Sequence, residues 1–145
     1  MRKVIGIGET IMDIIFKNKD HETNYHFILE KMKGKLITEQ KQALAYLFSL
    51  DENCFEHLLD LFDFYESKII FDGIYKIHGK SEKTVRLAFN LWNGCCTDGD
   101  TYIGDDAQTD YLPSGNYSPC NIFNCENGIY YFEAVKLRFP KYYQL

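Results

Sequence analysis

Ser81 to Gly94, SEKTVRLAFNLWNG, is the segment that leaves this chain the least freedom. Val85, Ala88, Phe89 and Trp92 recur at i, i+3, i+4 and i+7, and Leu87 and Leu91 widen the stripe. Only Lys83, Arg86, Asn90 and Asn93 remain for a polar side. Ser81 is a good N-cap, Glu82 complements the helix dipole in the first turn, and Gly94 supplies the left-handed residue that commonly ends a helix. The spacing predicts a helix over 81–94 in the middle of the core, with the other helices packed around it.

What surrounds that helix is also apolar enough to fold. The sequence is 46% hydrophobic and 16% aromatic, which excludes disorder as the main state, and 145 residues can bury a core without staples. No apolar run approaches the length of a membrane span. At the N-terminus Glu9 and Asp13 interrupt the apolar part of MRKVIGIGETIMDIIF, unlike a signal peptide. A cytoplasmic location is expected. Cys54, Cys95, Cys96, Cys120 and Cys125 are odd in number and lack both framework and zinc spacing, so free thiols and no metal are expected.

Charge narrows the function classes. The net charge is −5, and between Leu87 and Val135 there is no Lys or Arg. Binding nucleic acid depends on basic surface that releases counterions from phosphates, so direct DNA or RNA binding is excluded as the expectation.

The remaining pattern predicts a mainly α fold of about five helices with a minor β element. Val4–Gly8 reads as a strand and Ile11–Phe16 as an extended or helical piece. Asn18 caps a helix over 19–33 and Thr38 caps one to Ser49. A third helix runs from Glu52 to Phe64, and 68–77 suits a hairpin or an irregular crossing. Ser118-Pro119 opens a short turn, and Asn124 caps a last helix closed by Pro140. In that helix Ile129, Phe132, Val135 and Phe139 line the expected core side, with Tyr131 and Ala134 beside it. With no repeats and no linker, 1–145 reads as one domain.

Two acidic groups stand out as candidate sites. Glu52, Glu56, Asp60 and Asp63 fall at i, i+4, i+8 and i+11 of the third helix, with no basic partner among them. Like charges at this spacing cost about 0.2–0.5 kcal/mol per pair, so helix stability does not explain the row. It reads either as a solvated face that aids solubility or as a docking surface for a basic partner. The second group, Asp98, Asp100, Asp105, Asp106 and Asp110, lies in the loop 95–117. Loops of that length are usually functional or mobile. An EF-hand counted from Asp98 would need oxygen, Gly and Glu where Tyr102, Ile103 and Thr109 stand, so the calcium motif fails. Arg86, flanked by apolar residues, calls for a structural ion pair with Glu133 or an acid of the long loop. His21, His26, His57 and His78 are scattered; His57 is placed to pair with Asp60 or Asp63, and no Ser or Cys nucleophile adjoins it in sequence.

Two resemblances add to this. Gly6-Ile7-Gly8-Glu9-Thr10-Ile11-Met12-Asp13 resembles the opening strand of ribokinase-like (PfkB) sugar kinases, in which the Asp contacts the sugar. The Gly-Ala-Gly-Asp signature and a P-loop are absent. Over about 16–140, Phe16-Lys17-Asn18, His21, Val85-Arg86-Leu87-Ala88-Phe89-Asn90-Leu91-Trp92-Asn93-Gly94 and Tyr131 to Pro140 resemble a family of small proteins of unknown function from bacteria, phages and mobile elements. That resemblance implies no catalytic residues. It implies a setting in which small acidic proteins act as inhibitors, anti-CRISPR and other anti-defence proteins included.

The expectation is therefore a non-enzymatic interaction protein without cofactor. Its acidic surfaces, Glu52, Glu56, Asp60, Asp63, Asp98, Asp100, Asp105, Asp106 and Asp110, would bind a basic protein partner and so inhibit a nucleic-acid-handling host enzyme. The alternatives are an enzyme with a Cys/His site near the loop 95–117 and a sugar-kinase-like fragment using Asp13. Oligomerisation is left open: an excess of the 11 Phe and 11 Tyr over what one small core buries would leave an aromatic patch for self-association.

Overall fold

A computed structural model describes residues 2–7, 10–32, 36–98 and 113–143. The chain opens with an antiparallel hairpin of β1 (Arg2–Ile7) and β2 (Thr10–Ile15), in register from Arg2 opposite Ile15 to Ile7 opposite Thr10. Helices α1 (Lys19–Lys31), α2 (Glu39–Leu50), α3 (Glu52–Glu56) and α4 (Leu58–Leu61) follow. A two-residue pairing of β3 (Phe62–Asp63) with β4 (Lys68–Ile69) and a 3-10 turn over Phe71–Lys76 lead to α5 (Ser81–Asn93). After a 3-10 turn at Gly115–Tyr117 come α6 (Pro119–Ile122), α7 (Gly128–Arg138) and α8 (Pro140–Tyr143). The fold is mainly helical, as its periodicity predicts.

Capping chemistry sets four of the helix starts. The side chains of Asn18, Thr38, Asp51 and Ser118 accept from the backbone N–H of His21, Lys41, Cys54 and Asn121. Gly94 closes α5 in the left-handed conformation, φ 80°. Ser81 departs from its expected role: its hydroxyl donates to Asp51 Oδ1 at 2.9 Å and so joins the starts of α3 and α5.

The hub is α2 rather than α5. Every residue from Gln42 to Leu50 is buried, and α1, α5 and α7 all pack against it. Its run ALAYLF is apolar all round, the signature of a helix with no solvent side, whereas α5 keeps Lys83, Arg86, Asn90 and Asn93 on its rim. Tyr131 and Thr84 share a buried hydrogen bond of 2.6 Å that joins α7 to α5. Glu133 accepts from Ile15 N at 2.6 Å and pairs with Lys136 at 2.7 Å, tying the hairpin to α7.

Two further expectations are corrected. The third helix does not run unbroken to Phe64: it breaks at His57 and ends at Leu61. Asp63 accepts from Tyr65 N and Glu66 N, both at 2.9 Å, a local turn that competes with helix. The last helix starts at Gly128 without a side-chain cap, and it turns its other face inward. Tyr131, Ala134 and Leu137 are in the core, while Ile129 and Phe132 are 66% and 64% exposed. The helix does end before Pro140, as expected, and Pro140 opens α8.

Candidate functional site

The break at His57 shapes a groove between α1 and the α3–α4 pair. Phe27 and Phe55 meet edge to face, with ring centroids 5.8 Å apart. Leu58 is buried beneath them, while Leu59 is 69% and Phe27 49% exposed. Lys31 holds its ammonium 5.4 Å over the Phe27 ring and 5.5 Å over that of Phe64, closing one end. Thr23, Asn24, Glu56 and Asp60 complete the rim of a space of about 650 Å³. Apolar side chains left this open are unusual where polar residues rim them, and such sites mark interaction surfaces.

The acidic row behaves differently residue by residue. Glu52 and Glu56 are exposed on α3. Asp60 accepts from Lys76 at 2.8 Å and lies 3.1 Å from His57 Nδ1, and the Lys76 and His57 bonds hold its carboxyl below the usual range. Asp63 is spent on its own turn. The row predicted as one continuous face is therefore split, with Glu56 and Asp60 on the groove and Glu52 beyond it. The segment 51–63 still carries five acids and no Lys or Arg.

Glu52 also lines a polar cavity of about 510 Å³ where the starts of α1, α3, α5 and α7 converge. Its groups are largely engaged in the fold. Asn18 and Asp51 cap their helices, Ser81 donates to Asp51, and Lys17 reaches Asn127 at 3.4 Å. His21 at its base is 2% exposed. Its Nδ1 accepts from Lys17 N at 3.0 Å, which leaves Nε2–H to donate to the Tyr46 carbonyl at 2.9 Å. Burial lowers its pKa to about 4.

Of the loop acids, Asp98 is described and is not a free surface charge. It accepts from Arg86 Nε at 2.9 Å, Ser114 Oγ at 2.5 Å and Asn116 Nδ2 at 2.9 Å. Burial works against its charged form, but these bonds outweigh that and keep its pKa low. Arg86 thus has the loop partner that the sequence predicts, with Glu82 at 3.6 Å; Glu133 is engaged elsewhere. Asp100, Asp105, Asp106 and Asp110 lie outside the described residues.

The cysteines and imidazoles are not brought together among the described residues. The sulfurs of Cys54, Cys95 and Cys125 each face a backbone carbonyl, of Ser81, Thr97 and Ile122. Burial pushes the Cys54 thiol well up, away from the thiolate that chemistry requires. His57 is engaged by Asp60, and His78 is exposed. Among the described residues no group of three or more His, Cys, Asp or Glu is placed to hold a metal, and no helix is long and apolar enough to cross a membrane. Asp13 is exposed on β2 and lines neither cavity.

With this geometry in view, comparison with known proteins gives one positive finding, a family model that matches residues 11–145. The chain belongs to DUF6075, a family of unknown function. The match spans the helical body and β2 but not β1, and no kinase resemblance accompanies it. No curated protein and no solved structure matches the chain.

The groove residues Phe27, Lys31 and Leu59 escape a sequence reading. Phe27 adjoins the buried Ile28, and Leu59 adjoins the buried Leu58, so each looks like core. The signal that separates them is the helix break at His57, which no local motif announces.

Proposed function

We propose that this DUF6075 protein acts by binding, taking a basic amphipathic segment of another protein into the groove between α1 and α3–α4. The observation that carries the reading is the combination at one place: an apolar floor of Phe27, Phe55, Leu58 and Leu59 beside the exposed carboxylate of Glu56, with Asp60 next to it held by Lys76 and His57. A helix or strand with apolar side chains and flanking Lys or Arg satisfies both halves, since its apolar face leaves water while its charges meet carboxylates. Glu52 extends the negative field beyond the groove, which speeds encounter with a cationic surface.

In its sharpest form the partner is a nucleic-acid-handling enzyme, because such enzymes present basic surfaces built for phosphates, and covering one inhibits it. The acidic net charge of −5 favours that class over an acidic partner. The uncharged floor of the groove distinguishes this from purely electrostatic mimicry of phosphates.

The test is affinity capture from a bacterial host lysate with wild type and the Glu56→Lys/Leu59→Asp variant side by side. A protein held by wild type, lost from the variant, eluted by salt and displaced by duplex DNA supports the reading. Equal retention by both forms removes the groove from it. Inhibition of the captured enzyme then tests the sharper form.

A further inference from the structure

We propose that Asn93 is a site of self-modification, where the Gly94 backbone nitrogen closes on the Asn93 side-chain amide and converts the residue to aspartate and isoaspartate. The chain holds two Asn-Gly steps, Asn93-Gly94 and Asn127-Gly128, and the fold treats them in opposite ways. Glycine after asparagine favours this ring closure, because no side chain shields its nitrogen.

Asn93 ends α5 and is exposed, and Gly94 after it stands in the left-handed conformation at φ 80°. A Cβ built at Gly94 would meet nothing within 4 Å, so the main chain has room to bend around an imide ring. The Asn93 side chain is already folded back along the backbone, with its Oδ1 accepting from Cys95 N at 3.1 Å. The same N–H supports the oxygen on which charge develops as the nitrogen adds. What holds the nitrogen back is its own bond, Gly94 N–H to Asn90 O at 2.7 Å. That bond closes the end of α5, and helix ends open at almost no free energy, so fraying releases the nitrogen.

Asn127-Gly128 is locked. Gly128 is buried at the start of α7, and a Cβ there would lie 2.8 Å from the Phe123 carbonyl oxygen, which leaves the main chain no room to turn. Its N–H donates to Cys125 O at 3.0 Å, and Asn127 Oδ1 is engaged by Lys17 at 3.4 Å. The Asn127 carbonyl accepts from Tyr130 N and Tyr131 N, so freeing this step means opening a helix start whose Tyr131 is in the core.

The chemistry needs no reagent but water. The Gly94 nitrogen bonds to Asn93 Cγ and gives up its proton, the bond from Cγ to the amide nitrogen breaks, and ammonia leaves with that proton. Water then opens the imide at either carbonyl, giving aspartate or an isoaspartate whose main chain runs through the side-chain carbon. Either product puts a new negative charge at the C-terminal end of α5, where the helix dipole disfavours it. The isoaspartate also lengthens the path from α5 to Asp98, the partner of Arg86.

The test follows the full chain at mildly alkaline pH by peptide mapping, folded and in urea. In the folded chain Asn93 is expected to convert at least about tenfold faster than Asn127, the difference between fraying a helix end and opening a buried start. In urea the two rates are expected to converge. Hydroxylamine, which cleaves at the imide, is expected to cut the folded chain between Asn93 and Gly94. On ion exchange the new acidic form is expected to vanish in Asn93→Gln and to persist in Asn127→Gln. Conversion of Asn93 no faster than that of Asn127 in the folded chain overturns the proposal. So does conversion to aspartate alone with no hydroxylamine cut, which marks direct hydrolysis without the Gly94 nitrogen.

Discussion

Asp98 receives the Arg86 Nε–H at 2.9 Å while Ser114 and Asn116 donate to its other oxygen at 2.5 and 2.9 Å. One carboxylate thus pins both described ends of the long loop to α5. The expected outcome of Asp98→Ala is a loss of about 1–3 kcal/mol in a urea melt, because the Arg86 charge is left without its nearest partner. Amide exchange at 114–117 is expected to accelerate more than exchange in α2. Capture of a basic partner through the groove is expected to stay unchanged, which separates this acid from the binding surface.

His21 predicts an acid-sensitive core. Both ring nitrogens are used in the neutral form, and protonation would set Nδ1–H against the Lys17 N–H. The folded pKa is about 4 against an ordinary value of 6.5, so the unfolded chain binds the proton first as pH falls. The stabilisation is complete above pH 6.5 and drains away as pH drops toward 4. About 3 kcal/mol is at stake, at about 1.4 kcal/mol per pKa unit. Urea melts of wild type and His21→Gln through this window check it. The variant starts lower but is expected to lose less over the same range. Asp98, whose pKa lies below its ordinary 3.8, acts at lower pH and does not blur the comparison.

Among the described glycines, Gly73 leaves the least room for a side chain. A Cβ added there would sit 2.0 Å from the Asp60 carbonyl oxygen and 2.8 Å from its carbon. Both are backbone atoms at the end of α4, so no flexible side chain can yield. Gly73→Ala is expected to cost about 3 kcal/mol or more and to move α4 away from the 3-10 turn. Because Asp60 and Leu59 ride on α4, the groove should widen as well. A thermal melt and a loss of partner capture at a temperature where the variant is still folded would show both effects.

Much of the helical frame is legible because its signals are local. Asn18, Thr38 and Ser118 each need only a backbone N–H three residues on, and Gly94 needs only its own φ. The inward face of α7 is decided elsewhere. Both Ile129-Phe132-Val135 and Tyr131-Ala134 repeat at helical spacing, and the choice falls to Thr84, which gives Tyr131 a buried partner, and Ile15, whose N–H meets Glu133. The acidic row has the same history. Its spacing is visible in the sequence, but the Asp63 turn and the Lys76 partner of Asp60 divide it, and Lys76 lies sixteen residues away. Asp98 is likewise withdrawn from the surface by Ser114 and Asn116, across the long loop.

That division changes which charges a binding experiment should reverse. Asp63 holds the turn after α4 and Asp60 pairs with Lys76 and His57, so replacing them confounds binding with folding. Among the described residues Glu52 and Glu56 carry no such contacts, and both are exposed on α3. Glu52→Lys/Glu56→Lys gives up the favourable charge in the first turn of α3, a cost of about 0.5 kcal/mol that leaves the fold intact. Partner association, by contrast, should slow severalfold at low ionic strength, with little difference between variant and wild type once salt screens the field. Stopped-flow or surface-binding rates at rising salt read this directly. If the two on-rates coincide at low salt, the carboxylates do not steer the partner and the apolar floor alone accounts for docking.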